Sequence, residues 1–327
     1  MSSEPTRDDE SRARLRKRIW ISVQVTLTLG VFALLIAKTD IASLVHAFHK
    51  APLWRIPAAI ATLIVLLSSA SIRWRLLLGA YGAAAPPPLR HLLRLQLIGL
   101  FYNMLPGAVG GDVVRGLVTR NAFGERGLGA GLAVVLIERI FGLLGLVMLV
   151  TTVLGLHPIA NLQLPRVALA LGVLAGVGAL VAVAAARRLS EVMPRKLGML
   201  AASLPELASF PLLAAALAMS VVNQTLVGVI GHLLISPLAP NVELLDSLVL
   251  SPLSFATIFV PITVAGAGAR DGAMVWLYGL LGVPRESALL ASLQILFCYV
   301  LVASFGGLLG VLSPLDAGLA HSDAKAA

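Results

Sequence analysis

Apolar runs long enough to cross a bilayer recur along this chain, and they decide its fold class before any motif is considered. At 1.5 Å per residue about 20 residues span the ~30 Å hydrocarbon core. Runs of that order occupy Ile19–Ala37, Ile56–Ile72, Leu132–Leu154, Val167–Ala186, Leu212–Ile235 and Ala288–Leu312. With 58% hydrophobic and 13% charged residues over 327 positions, little is left from which to build a water-soluble domain. The first run follows Arg16-Lys17-Arg18 like a signal peptide. It is followed by Lys38-Thr39-Asp40 rather than an Ala-x-Ala site, so it reads as an uncleaved span.

Two regions do not fit a simple crossing. Leu92–Leu105 is short and carries Arg94, while Leu248–Val264 and Gly272–Val283 flank a second interruption. The interruptions themselves, Leu105-Pro106-Gly107-Ala108-Val109-Gly110-Gly111-Asp112 and Val260-Pro261 through Gly266-Ala267-Gly268-Ala269-Arg270-Asp271, combine proline, glycine and charge. In lipid every backbone polar group needs a partner, so such segments survive only where protein or a wet cavity surrounds them. The pattern predicts an all-α polytopic integral membrane protein with six full spans and two Pro/Gly-broken helical hairpins, about eight membrane segments in all.

Basic residues orient it, because Lys and Arg near span ends favour the cytoplasmic face. With the N-terminus inside and each hairpin returning to its own side, about eighteen of the 25 Lys and Arg lie inside, six outside, and Arg139 within a span. Span, span, hairpin, span then repeats from the opposite side, which predicts an inverted repeat with halves 19–154 and 167–312. Residues 1–18 read as a basic cytoplasmic tail, 19–312 as one membrane domain and 313–327 as a disordered tail. The expected location is the bacterial cytoplasmic membrane. A net charge of +9 set at span ends suits anionic lipid head groups better than nucleic acid.

Charge inside the membrane is costly, at least about 2.5 kcal/mol on insertion scales, so it marks candidate function. Asp112 and Arg115 are three apart on the helix expected after Gly111 and share a face. Asp112 is placed to cap that helix, and Gly110 and Gly111 to offer backbone donors to an anion. Glu138 and Arg139 lie within a span. Neighbours on a helix point about 100° apart, so these two need partners on other helices. At least one of them is expected to pair with a hairpin charge, Asp112 with Arg139 or Glu138 with Arg270 being the natural choices. Arg270 and Asp271, after Gly266 and Gly268, repeat the glycine, carboxylate and arginine set of the first break. Asn103 is expected to satisfy opened backbone or to touch a head group.

Other features carry less. His46 and His49 lack a carboxylate or thiol ligand beside them, so no metal is expected. Asn223-Gln224-Thr225 matches a glycosylation pattern but lies in a span and reads as structural. Gly172 and Gly176 fit helix packing, and Trp20, Trp54 and Trp74 fit membrane interfaces. Cys298 is a single thiol in an apolar run and reads as packing. No nucleotide loop, catalytic triad or zinc pattern occurs, so no cofactor is expected.

The run Ile72-Arg73-Trp74-Arg75-Leu76-Leu77-Leu78, then Asn103-Met104-Leu105-Pro106-Gly107 with Gly110-Gly111-Asp112 and Arg115, then Glu138-Arg139, then Pro261 with Gly266, Gly268 and Arg270, resembles the membrane domain of lysylphosphatidylglycerol synthases. The resemblance covers nearly the whole chain. It implies a flippase-like domain in which Gly110, Gly111, Asp112, Arg115, Glu138, Arg139, Gly268 and Arg270 line a lipid path. Asp271 stands where a longer Glu is expected, and the stretch after Leu312 is not expected to form an aminoacyl-transferase domain, so the resemblance does not carry the substrate over. The expected activity is translocation of a polar or charged lipid between leaflets, with membrane lipids as partners and a separately encoded transferase as a possible one. The alternatives are a membrane-embedded transferase with Asp112 or Glu138 as base, or an accessory subunit in lipid, hopanoid or polyprenyl-linked glycan synthesis. The oligomeric state is not legible.

Overall fold

The computed structural model describes residues 40–83, 86–105, 110–119, 122–123, 127–159, 207–259 and 268–312, with isolated positions between 19 and 37 and between 162 and 202. Among the described residues the regular structure is entirely helical: α1 Ile41–Lys50, α2 Arg55–Ala80, α3 Leu89–Met104, α4 Gly110–Thr119, α5 Gly127–Leu156, α6 Phe210–Ile235, α7 Leu244–Phe255 with a 3-10 turn Ala256–Phe259, α8 Ala269–Gly279 and α9 Arg285–Leu312. Four of these, α2, α5, α6 and α9, are long and apolar enough to cross a membrane. They correspond to four of the six expected spans. The expected spans at 19–37 and 167–186 lie largely outside the described residues, as do the two tails, Gly172, Gly176, Pro106, Pro261 and Gly266.

Local chemistry sets the helix ends. Asp40 caps α1, its carboxylate accepting the Ala42 and Ser43 N–H groups at 3.2 and 3.1 Å. Those bonds, with one from the Ser43 hydroxyl, hold its pKa below the ordinary carboxylate value. Ser209 caps α6, with Pro211 in the first turn where its missing donor does no harm. Asp246 accepts the Glu243 N–H at 2.9 Å and so starts α7. Near the end of α7, Pro252 removes a donor, and the chain tightens into the 3-10 turn.

Contacts between helix ends fix the directions. Arg55, opening α2, donates to Leu233 O at 3.1 Å and Ser236 Oγ at 2.7 Å at the end of α6, while Ala208 N–H reaches Ala80 O at 2.7 Å at the other end. Helices α2 and α6 are therefore antiparallel. The start of α9 joins the first of these faces through Ser287 and Leu238 O, the end of α5 through His157 and Asp246, and the end of α8 through Leu281 O and Asn241. Between α3 and α4, Gly99 lies against Arg115 and Asn103 against Gly111, so the two fold back on each other. In the same way Ser251 of α7 meets Tyr278 of α8 at 2.7 Å.

Helix α6 packs on α2, α5 and α7, and α9 packs on α3. Leu63, Leu77, Leu78, Leu92 and Phe141 are fully buried, whereas Val65, Trp276, Phe297 and Phe305 face outward as lipid-contacting side chains do. Glycines allow the closest crossings: a Cβ on Gly145 of α5 would stand 2.6 Å from the Ser220 backbone of α6. Gly145→Ala is accordingly expected to cost about 1–3 kcal/mol of stability by overpacking. Gly155→Ala, with nothing within 4 Å, is expected to be neutral. Thermal unfolding in detergent checks the contrast, and equal midpoints would contradict the close α5–α6 approach.

Candidate functional site

The charges of the first half assemble into one network. Glycine at 111 makes this possible, because a Cβ there would run into the Gly99 carbonyl and stand 2.6 Å from Asn103 Oδ1. Helix α4 thus lies tight against α3 and turns Asp112 and Arg115 toward α5. Arg139 Nε donates to Asp112 at 2.7 Å, and its Nη2 to the same oxygen. Arg115 donates to Glu138 and stands 3.6 Å from Asp112, while Arg73 of α2 donates to the other Glu138 oxygen at 2.8 Å. Trp74 lies flat beneath Arg115, its ring centre 4.2 Å from the guanidinium carbon.

Three arginines and two carboxylates, from α2, α4 and α5, therefore share one polar centre. Four of the five are at most 13% exposed, and Arg139 is 42% exposed. Beside it opens a cavity of about 260 Å³ lined by Arg73, Gln96, Arg115, Glu138, Arg139, Asn223 and Gln224 together with Leu66, Leu67, Ala70, Val135, Gly142 and Val227. Arg73, Glu138 and Asn223 lie roughly 27, 17 and 20 Å along their helices at 1.5 Å per residue. Those helices have 26, 30 and 26 residues, so the cavity sits near mid-depth.

The second break forms a separate cluster. Gly268, at φ +82°, starts α8 in a backbone conformation that side chains resist. The Asp271 carboxylate accepts the Gly268 N–H at 2.8 Å, an Arg270 N–H at 2.7 Å and the Ser292 hydroxyl. Arg270 also reaches Ser292 O at 3.4 Å and lies over the Phe255 ring at 5.3 Å. Both side chains are at most 3% exposed.

The Asp112–Arg139 pair forms, and Arg115 shares their face. The Glu138–Arg270 pair does not form: Glu138 is taken by Arg115 and Arg73, and Arg270 by its neighbour Asp271. Asp112 lies in the first turn of α4, which begins at Gly110. Gly111 serves close helix packing, and Asn103 Oδ1 is buried without a partner. Gly268, Arg270 and Asp271 are not among the residues that line the mid-depth cavity. Trp74, expected at an interface, is fully buried under Arg115, because a guanidinium in a dry setting gains from an aromatic face. Sequence reasoning missed Arg73, Gln96 and Gln224 as site residues and set Asn223 aside. The available signal was two adjacent amides in the middle of an apolar span.

No curated protein matches the chain. A sequence model described as the lysylphosphatidylglycerol synthase TM region, in contrast, matches residues 19–307. That match covers both the arginine and carboxylate network and the Arg270–Asp271 cluster, and the chain belongs to this family of membrane regions.

Proposed function

We propose that the protein moves a polar or charged lipid between the leaflets of a bacterial cytoplasmic membrane, the head group passing through the charged cavity while the chains stay in lipid. The observation that carries this reading is the cavity itself. Its wall, though largely apolar, carries Arg73, Arg115, Arg139 and Glu138 at mid-depth among helices of membrane-crossing length. A head group loses its hydration on entering hydrocarbon, and fixed donors can replace that water.

An inverted repeat is part of this reading, and the helix contacts support it. Exchanging α2 with α6, α3 with α7, α4 with α8 and α5 with α9 turns each extensive contact among these eight helices into another one: α3–α9 becomes α7–α5, α5–α6 becomes α9–α2, and α2–α6 maps on itself. The hairpins α3–α4 and α7–α8 open from opposite faces, the arrangement in which alternate exposure arises from rocking one repeat on the other. The N-terminus is inside by the arginine distribution. Transport is favoured over transferase chemistry because both carboxylates of the network already accept from arginine, which leaves neither poised as a base.

Reconstitution into vesicles tests the proposal. Wild-type protein is expected to equalise a fluorescent phospholipid between leaflets. The double variant Asp112→Asn/Arg139→Gln, which removes one ion pair without changing net charge, is expected to slow this at least about tenfold, the worth of about 1.4 kcal/mol. A wild type that moves no lipid overturns the reading, and a covalently altered lipid in the extract would favour an enzyme.

A further inference from the structure

The charge balance of the cavity narrows what it can hold. Among the described residues, the carboxylates that Arg73, Arg115 and Arg139 face are Asp112 and Glu138 alone, and both are already engaged. One positive charge is in excess, at a depth where little water screens it. Donors are in excess as well: the Nε groups of Arg73 and Arg115 are buried without a partner. On α6, Asn223 lines the same cavity, is 6% exposed, and has its Oδ1 unpartnered. Unpartnered N–H donors on α2 and α4 and an unpartnered acceptor on α6 thus belong to residues of the cavity wall, where a small side-chain shift offers them to a guest. An anion that also carries a hydroxyl satisfies both.

A second cavity, of about 270 Å³, lies among α2, α3 and α9 and is walled by apolar side chains, among them Ile60, Ile64, Leu93, Leu97 and Phe305. Leu67 belongs to the wall of both cavities. A charged space and an apolar one on either side of a single leucine match the two ends of an amphiphile.

We infer that the site is built for a lipid with one net negative charge and a hydroxyl-bearing phosphodiester head group. The head group sits among Arg73, Arg139 and Asn223, and one chain lies in the α2–α3–α9 groove beyond Leu67. A cationic head group finds no free carboxylate in this network. The inference rests on the translocation reading and narrows it from polar lipids in general to anionic ones.

The test uses the full chain in phosphatidylcholine vesicles carrying trace fluorescent phosphatidylglycerol, phosphatidylcholine or a trimethylammonium diacyl lipid. Leaflet exchange of the anionic probe is expected to exceed that of the cationic probe at least about tenfold. Asn223→Asp, nearly unchanged in shape, and Arg73→Gln, on α2, each bring the excess charge to zero and are expected to erase most of that preference. Ile64→Trp, at a 47% exposed position in the groove, is expected to slow lipid exchange while leaving protection against heat by glycerol 3-phosphate unchanged. Equal exchange of anionic and cationic probes, or an intact preference in both charge variants, overturns the inference. Glycerol 3-phosphate binding as tightly as the intact lipid overturns it too, since the groove would then contribute nothing. Should wild-type protein move no lipid, the translocation reading fails separately. Native mass spectrometry of lipid retained on the purified protein then decides this one: a roughly tenfold excess of anionic over cationic lipid supports it, and equal retention sinks it.

Discussion

Glu138→Ala is expected to cost about 3–5 kcal/mol of stability, the penalty for removing one partner of a buried ion pair. Glu138 is 4% exposed and accepts from Arg73 of α2 and Arg115 of α4. Its loss leaves two guanidiniums facing each other in a low-dielectric space, with only Asp112, 3.6 Å from Arg115 and already bonded to Arg139, to offset them. The yield of monodisperse protein and its thermal midpoint in detergent should both fall. Arg115→Gln/Glu138→Gln is expected to recover much of the loss, because the charges leave together. A double variant as unstable as Glu138→Ala would show that side-chain packing, not charge pairing, holds α2, α4 and α5 together.

Asp271→Ala should be comparably damaging, again by about 3–5 kcal/mol. Asp271 is fully buried and serves three groups at once: the Gly268 N–H that opens α8, the Arg270 guanidinium, and the Ser292 hydroxyl on α9. Alanine leaves Arg270, 2% exposed, without a counter-charge. Asp271→Asn keeps an acceptor for Gly268 and Ser292 and removes only the charge, so its midpoint is expected between those of alanine and wild type. An Asp271→Ala protein that melts like wild type would mean that Arg270 escapes to water, contrary to the sealed cluster seen here.

How far these positions were legible in the sequence depends on which physical rule fixes them. Long helices follow from apolar runs alone, and α2, α5, α6 and α9 fall where the runs do. The hairpins follow from Pro and Gly in places where hydrocarbon forbids open backbone, and Asp112 with Arg115 from helical spacing. Glu138 and Arg139 were sure to need partners on other helices, since adjacent side chains diverge. Which arginine meets Glu138 was not legible. Arg73 counts equally as an inside-positive anchor in a linear reading, and only the antiparallel packing of α2 on α6 brings it beside α5. Asn223 and Gln224 look like glycosylation chemistry until the span is drawn. Gln224 then donates to Gly142 O at 2.8 Å, and Asn223 lines the cavity with a free acceptor. Aspartate in place of the longer glutamate at 271 proves sufficient, because its partners are three residues back, next door, and on a helix in direct contact.

The two charge clusters differ in kind. Around Arg270 the Asp271 carboxylate, the Ser292 carbonyl and the Phe255 ring hold the guanidinium, which is 2% exposed. Around Arg73, Arg115 and Arg139 donors remain over, beside an open cavity. On the proposed reading the first half supplies the arginines of the cavity and the second half Asn223 and Gln224, while the second half's own charge cluster fixes the start of α8 against α9. An equal role for both halves, as a strict symmetry would give, does not follow from these contacts.

The central claim is that a lipid head group enters the mid-depth cavity between α2, α5 and α6. Site-specific photo-crosslinking in native membranes tests it most directly, with a photoreactive amino acid placed at Gln224 in the cavity and, for comparison, at Ser292 beside Arg270. Phospholipid adducts, identified by their head-group fragments, are expected at Gln224 and none at Ser292. Adducts at Ser292 alone, or the absence of head-group adducts at Gln224 in a correctly folded protein, would contradict it.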